Sequence, residues 1–181
     1  SLHKMFNSID KLNEVSKTAA DRIMVIVKSL RNFARLDRAE KDSFDILEGL
    51  ESTLTLVHHE FKNRITVHKE YGDVPAVSCF PNQLNQVFMN ILVNAGQAID
   101  GKGDIVIRTY TEDEFVIIEF GDSGRGIEKE DIKKIFNPGF TTKGVGVGTG
   151  LGLSIVYQII KDHKGEIDVG SEVGKGTMIK I

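Results

Sequence analysis

The distribution of glycine constrains this chain more than any other feature of its sequence. The chain has 181 residues and 18 glycines, none of which precedes Gly49, and nine of which lie between Gly121 and Gly152. Evenly scattered glycine is typical of turns, whereas a cluster marks backbone that approaches a ligand closely or has to stay mobile. The sequence therefore predicts one ligand-binding segment in its second half, preceded by a long segment without glycine.

The composition excludes several classes of protein. Hydrophobic residues make up 40% of the chain and charged residues 27%, which is enough apolar material for a packed core. The net charge of -3 argues against a nucleic-acid partner, whose contact surface would need a basic excess. The single cysteine, Cys79, excludes an internal disulfide and indicates a reducing, cytoplasmic location. The sequence leaves open whether a full-length protein is anchored to a membrane.

The glycine-free segment carries a heptad pattern. Apolar residues at alternating steps of three and four run from Leu2 to Phe33, with Ser16 as the one polar exception. This pattern predicts one long helix to about Asp37 whose seam needs a partner, in a dimeric coiled coil or a helical bundle. The alternative is a helix folded back on its own domain. The polar stretch 38–43 is predicted to connect this helix to a second unit.

Beyond this connector, helical patterns alternate with strand patterns. Helices are predicted after the capping residue Asp45, over 81–99 and over about 149–163. Strands are predicted over 65–68, 74–80, 104–111, 114–121, 165–171 and 176–181. The order predicts an α+β fold, a two-layer sandwich with helices on one face of a mixed, mostly antiparallel sheet.

The central helix contains a pair of asparagines, Asn90 and Asn94. Their spacing of four places both carboxamides on one helical face. A carboxamide oxygen suits Mg²⁺ that stays largely hydrated and is shared with phosphates. The alternative is two exposed or capping asparagines without a ligand.

The glycine cluster itself contains two motifs. In Asp122-Ser-Gly124-Arg-Gly126, a carboxylate at a strand end can accept a hydrogen bond from an exocyclic amine, and the glycines let backbone pass beneath a flat ligand. The tract from Gly144 to Gly152 then runs into a helix, whose exposed N–H groups make an anion site fit for a triphosphate. The alternatives are a simple turn for the first motif and a flexible loop without a ligand for the second.

Taken in order, these motifs resemble the N, G1 and G2 boxes of sensor histidine kinases, which share an ATPase superfamily with gyrase, mismatch-repair and heat-shock chaperone ATPases. Residues 136–143, Phe-Asn-Pro-Gly-Phe-Thr-Thr-Lys, resemble the F box, and 174–177, Gly-Lys-Gly-Thr, resemble the closing strand. The resemblance implies two units. Residues 1–43 would be the second helix of the dimerisation and histidine-phosphotransfer hairpin with its linker, and 44–181 the catalytic ATP-binding domain.

The resemblance also implies ATP and Mg²⁺ as cofactors and a role for each matching residue. Asp122 would bind the adenine amino group, with Thr177 nearby through water, and Gly124 and Gly126 would form the floor of the adenine pocket. Asn94 would ligate Mg²⁺. The other positions that it assigns to the phosphates, the lid or the rest of the nucleotide site are Asn90, Ile127, Thr142, Lys143, Gly148, Thr149, Gly150, Leu151 and Gly152.

The residue four before Asn94 separates reaction classes within this superfamily. Hydrolysing relatives have a water-activating glutamate there, whereas this chain has Asn90, which cannot act as a general base. Slow hydrolysis is therefore expected, with Asn90 and Lys143 as catalytic residues for transfer of the γ-phosphoryl group. The alternatives are a serine kinase of the anti-sigma type, a slow ATPase, or a nucleotide-sensing dimerisation module without kinase activity.

The resemblance implies three partners. These are a second copy of the chain through the N-terminal helix, the helix with the phosphoacceptor histidine, and a cognate response regulator. None of the five histidines lies in the family's acceptor box, so the chain is expected to be a fragment that lacks the acceptor.

Overall fold

The computed structural model describes residues 41–142 and 148–181. The predicted heptad helix and the predicted site residue Lys143 lie outside the described residues, as do Gly144 and Gly146. The helices are α1 (Ile46–Phe61), α2 (Pro81–Ala98), α3 (Lys129–Ile132) and α4 (Gly152–Asp162). The strands are β1 (Asp42–Phe44), β2 (Ile65–Tyr71), β3 (Val77–Cys79), β4 (Gly103–Glu112), β5 (Phe115–Asp122), β6 (Asp168–Glu172) and β7 (Gly176–Lys180).

Five of these strands form one sheet in the order β2-β4-β5-β7-β6. The β2–β4 pair is parallel, and the other three pairs are antiparallel. The β4–β5 hairpin turns at 113–114, where Asp113 adopts a left-handed φ of 53°. The predicted α+β fold with a mixed, mostly antiparallel sheet is therefore confirmed.

The core lies between the helices and one face of this sheet. On β4, Ile105, Ile107 and Thr109 are buried, while the residues between them are more exposed, as expected for a strand with one covered face. The rings of Phe88 on α2 and Phe120 on β5 lie 6.1 Å apart and join the two layers. Helix α2 is the centre of the helical layer because it packs against both α1 and α4.

His163 fixes helix α4 against the start of α2. Its Nδ1–H donates to the Ile159 carbonyl at 2.8 Å, and its Nε2 accepts the Phe80 N–H at 3.1 Å. The Phe80 and His163 rings also contact edge to face, with centroids 5.5 Å apart. His163 thus bonds to backbone groups of both helices and holds the end of α4 against the start of α2.

The segment predicted as a polar connector is partly a strand. Residues Asp42–Phe44 form β1 and pair antiparallel with β3, with Asp42 opposite Cys79 and Phe44 opposite Val77. A three-residue strand is too short to show an alternating pattern, and its partner is distant in sequence. Residues 42 and 43, which the prediction assigned to the connector, therefore also pair with β3.

Other predicted boundaries shift for local reasons. The strand predicted over 74–80 is confined to Val77–Cys79, because Pro75 has no N–H to contribute to a ladder. The last helix begins at Gly152 rather than at 149, and the one-turn helix α3 was not predicted. No described helix is long and apolar enough to cross a membrane.

Asp45 caps helix α1 and provides a first test of the fold. Its Oδ1 accepts the N–H groups of Leu47 at 2.8 Å and Glu48 at 3.2 Å. We expect Asp45→Ala to lower the free energy of unfolding by about 1 kcal/mol, the usual value of an N-cap side chain. Urea unfolding measures this loss, and Asp45→Ser, which retains an oxygen acceptor, serves as the control. An alanine variant as stable as the wild type would contradict the assigned cap.

Candidate nucleotide-binding site

Asp122 is the last residue of β5, in the middle of the five-stranded sheet. Its Oδ1 accepts the Gly124 N–H at 2.8 Å, which orients the carboxylate. Burial raises the pKa of Asp122, and hydrogen bonds from the backbone of Gly124 and Thr177 oppose that rise. The structure thus places a partly desolvated acceptor with a fixed direction at a strand end.

A row of side chains runs from Asp122 across the neighbouring strands. Asp122 lies opposite Thr177 of β7, and Thr177 lies opposite Ser171 of β6. Thr177 is only 8% exposed, and its Oγ1 lies 2.9 Å from the Ser171 Oγ. Ser171 also accepts the N–H of Ile127 at 2.9 Å, so it contacts the predicted site residues Ile127 and Thr177, with Asp122 on the far side of Thr177.

Ser171 was missed from the sequence, because a single serine in a strand carries no pattern of its own. The signal that could have found it is its place opposite Thr177 in the final hairpin, six residues earlier in the chain. Only the register of that hairpin makes the pairing visible.

The glycines of the Asp122 motif are required by the protein's own backbone. A Cβ on Gly124 would lie 2.7 Å from the carbonyl oxygen of Ala98 at the end of α2. Gly126 has a left-handed φ of 73°, and a Cβ there would collide with the Glu172 carbonyl of β6. The turn is thus locked between α2 and β6, and the predicted role of both glycines as a pocket floor stays a prediction.

The asparagine pair meets the end of the glycine tract. The Nδ2 of Asn90 donates to the Gly152 carbonyl at 3.3 Å. A Cβ on Gly152 would lie 3.6 Å from the Asn94 Nδ2 and 3.8 Å from the Asn90 Oδ1. Two motifs that lie 62 residues apart are therefore brought together at the first turn of α4.

The first turn of α4 is suited to an anion. Among the described residues no side chain caps this helix, and its first turn contains no acidic residue. The Thr149 Oγ1 accepts the Leu151 N–H at 3.3 Å just before the helix begins. Unpaired N–H groups and the positive end of the helix dipole favour phosphate at such a position.

The F-box segment contacts both the residues just before α4 and the middle of α4 itself. The Gly139 N–H donates to the Gly150 carbonyl at 3.0 Å, where Gly150 has a left-handed φ of 67°. The Phe136 ring lies 5.3 Å from the ring of Tyr157 on α4.

Two of the predicted phosphate-end residues add little to this geometry. Gly148 is half-buried beside Thr149, at the start of the described part of the tract. Thr142 is exposed and directly precedes the segment outside the described residues, so its predicted role stays a prediction, as does that of Lys143.

The candidate site has an oriented carboxylate at one end. At its other end it has an uncapped helix N-terminus beside two asparagines. Together these features define a nucleotide-binding α+β sandwich. A family model described as histidine kinase-, DNA gyrase B-, and HSP90-like ATPase matches residues 80–181. The chain therefore belongs to this ATPase family, as the predicted resemblance implied.

Two of the similar proteins are sensor kinases. Sensor kinase CckA of Brucella abortus (strain 2308) is 36% identical over 181 residues, which cover 91% of this chain and 19% of that protein. Sensor histidine kinase ZraS of Escherichia coli (strain K12) is 34% identical over 173 residues, which cover 94% of this chain and 37% of that protein. The chain thus spans well under half the length of these relatives.

Solved structures agree with this assignment. The catalytic domain of histidine kinase ThkA, in a nucleotide-free form, matches with a TM-score of 0.70 and 30% identity over 78% of this chain and 93% of that chain. The mycobacterial sensor histidine kinase MprB matches with a TM-score of 0.70 and 25% identity over 77% of this chain and 94% of that chain. The described part of the chain has the fold of a histidine kinase catalytic domain.

Proposed function

We propose that this chain is the ATP-binding catalytic core of a sensor histidine kinase, which delivers the γ-phosphoryl group of ATP to a histidine on a dimerisation helix. The observation that carries the proposal is the contact between Asn90 and the Gly152 carbonyl, because it joins the asparagine face of α2 to the anion-binding start of α4. Family membership and the similarity to sensor kinases support the same function.

At the base end, Asp122 accepts the exocyclic amine of adenine. The hydrogen bond from the Gly124 N–H fixes one carboxylate oxygen of Asp122. This bond also sets the direction in which the second oxygen points. Thr177, buried beside it, supplies a further polar atom to the base. A carboxylate accepts hydrogen bonds only, so the pocket favours a donor on the base.

At the phosphate end, the N–H groups of the first turn of α4 hold the triphosphate. Asn94 supplies a carboxamide oxygen to Mg²⁺, which neutralises phosphate charge when it is bound. The donor set fits the ion, because a neutral amide oxygen on a half-buried helix face leaves most of its shell to water and phosphates. We assign Lys143 to a phosphate as well, on the resemblance alone.

The same geometry favours transfer over hydrolysis. The Asn90 amide donates to the Gly152 carbonyl and has no basic atom with which to activate water. The γ-phosphoryl group is therefore retained for an acceptor. We propose a histidine on a dimerisation helix as that acceptor, a second copy of the chain as the dimer partner, and a response regulator as the recipient.

Asn94→Ala tests the assigned metal ligand. We expect the variant to lose about tenfold in ATP affinity in the presence of Mg²⁺, equivalent to about 1.4 kcal/mol for one ligand contact. In EDTA its affinity for ATP should match that of the wild type, because the metal is then absent from both. Calorimetric titrations under both conditions measure the difference.

Gln97→Ala is the matched control for this test. Gln97 lies one turn beyond Asn94 on α2, is exposed, and is not assigned to the nucleotide. The control variant should retain the wild-type response to Mg²⁺. An equal loss for Asn94→Ala with and without Mg²⁺ would remove Asn94 from the metal site.

A further inference from the structure

Ser171 is a hydrogen-bonding centre beside the proposed base pocket. Its Oγ lies 2.9 Å from the Ile127 nitrogen, 2.9 Å from the Gly176 carbonyl oxygen and 2.9 Å from the Thr177 Oγ1. It is also the outer member of the row Ser171, Thr177 and Asp122, which crosses three adjacent strands on one face.

Counting protons fixes the direction of these bonds. A hydroxyl has one proton to donate and two lone pairs to accept with. The Ile127 N–H can only donate and the Gly176 carbonyl can only accept, so Ser171 accepts from the first and donates to the second. The one remaining lone pair of Ser171 then accepts the hydroxyl proton of Thr177, and all of these groups are satisfied.

The opposite direction between the two hydroxyls is less favourable. If Ser171 gave its proton to Thr177, the Gly176 carbonyl would lose this partner. A hydrogen bond of this kind contributes about 0.5–1.5 kcal/mol to stability.

We infer that Ser171 is a positioning residue that turns Thr177 into an obligatory acceptor and thereby selects adenine over 6-oxopurines at the Asp122 pocket. This inference rests on the proposed ATP site. With its proton committed to Ser171, Thr177 offers only lone pairs, as ionised Asp122 does. A 6-amino group meets two acceptors, directly or through a water that donates to both. The 6-oxo group of hypoxanthine or guanine is itself an acceptor and finds no donor.

The test is the ratio of the dissociation constants of ITP and ATP, measured by calorimetry with Mg²⁺ on the whole chain. Wild type is expected to bind ATP more tightly than ITP. In Ser171→Ala the Thr177 proton is free to donate to the 6-oxo group, so the ratio should fall by about tenfold, the equivalent of one hydrogen bond. Ser171→Thr retains the hydroxyl and should restore the wild-type ratio.

A second variant covers the case in which Ser171→Ala does not fold. Thr177→Val removes the oriented hydroxyl and leaves the Ser171 bonds to Ile127 and Gly176 in place, and it should lower the ratio as well. Thermal unfolding of each variant reports its structural effect separately.

The outcomes distinguish the inference from the function on which it rests. Equal losses of ATP and ITP affinity, with an unchanged ratio in the variants, would show that Ser171 only supports the fold and would overturn the inference. A wild-type chain that binds neither nucleotide would instead overturn the proposed function. A lowered ratio that Ser171→Thr restores supports both.

Discussion

Asp122→Asn is expected to weaken ATP binding by about 100-fold, which is equivalent to roughly 2.7 kcal/mol. The reason is that the substitution replaces a charge-assisted hydrogen bond by two donors that face each other. Asparagine retains Oδ1, so it still accepts the Gly124 N–H. Its Nδ2 then points at the base where the adenine amine also donates. The loss therefore comes from the ligand contact and leaves the turn intact.

The free domain should tolerate this change or gain from it. Burial raises the pKa of Asp122, so its folded-state pKa lies above the unfolded value. A group of this kind stabilises the fold below its unfolded pKa, and that contribution is lost as the pH rises through the folded pKa. At pH 7 the wild type carries the desolvated charge and the asparagine variant does not. Urea unfolding at pH 7 should thus find the variant at least as stable.

Asp104→Asn is the matched control for the nucleotide contact. Asp104 is the second residue of β4, and its carboxylate accepts from the His68 ring at 2.8 Å, with 56% of its side chain exposed. The Asp104→Asn substitution removes the same charge from the surface near the site. It should leave the affinity for ATP unchanged. Calorimetry that finds both variants equally weakened would show that general charge, and not the Asp122 contact, controls binding.

Gly126→Ala is expected to lower the free energy of unfolding by about 3 kcal/mol and to disrupt ATP binding. A left-handed conformation costs a residue with a Cβ about 1–2 kcal/mol, and forcing a methyl group into packed backbone costs about 1–3 kcal/mol more. Both costs apply to Gly126, because it has a φ of 73° and an added Cβ would face the Glu172 carbonyl. Relief of the collision moves β6, which carries Ser171.

Gly101→Ala separates these two causes. Gly101 has a φ of 77°, but a Cβ there would have nothing within 4 Å. Only the backbone penalty applies, so a loss of about 1 kcal/mol is expected, with ATP affinity unchanged. Urea unfolding and calorimetry of both variants measure the contrast. Equal losses at the two positions would contradict the close packing of the Gly126 turn.

The sequence predicted the long regular elements because their periodicity is local. The helix predicted over 81–99 is observed as Pro81–Ala98, and the hairpin predicted over 104–111 and 114–121 as Gly103–Glu112 and Phe115–Asp122. Strand β1 could not be found in this way, because its three residues derive their conformation from β3.

The site was predictable only in part for the same reason. Asn90, Asn94 and Asp122 could be proposed as site residues from the sequence because residue type and spacing express their chemistry locally. Ser171 contacts Thr177 across two strands, and this pairing appears only once the β6–β7 register is known. For Gly126, the sequence indicated a need for glycine but not the nearby carbonyl of β6 that requires it.

The destination of the γ-phosphoryl group tests the central claim most directly. The chain is incubated with Mg²⁺, γ-labelled ATP and a purified dimerisation hairpin that carries the acceptor histidine of a sensor-kinase relative. We predict label on that hairpin that is lost in acid and retained in alkali, as for phosphohistidine, and no label when Asp122→Asn replaces the wild type. Acid-stable label on serine, or label released only as inorganic phosphate, would contradict the assignment and favour a serine kinase or an ATPase.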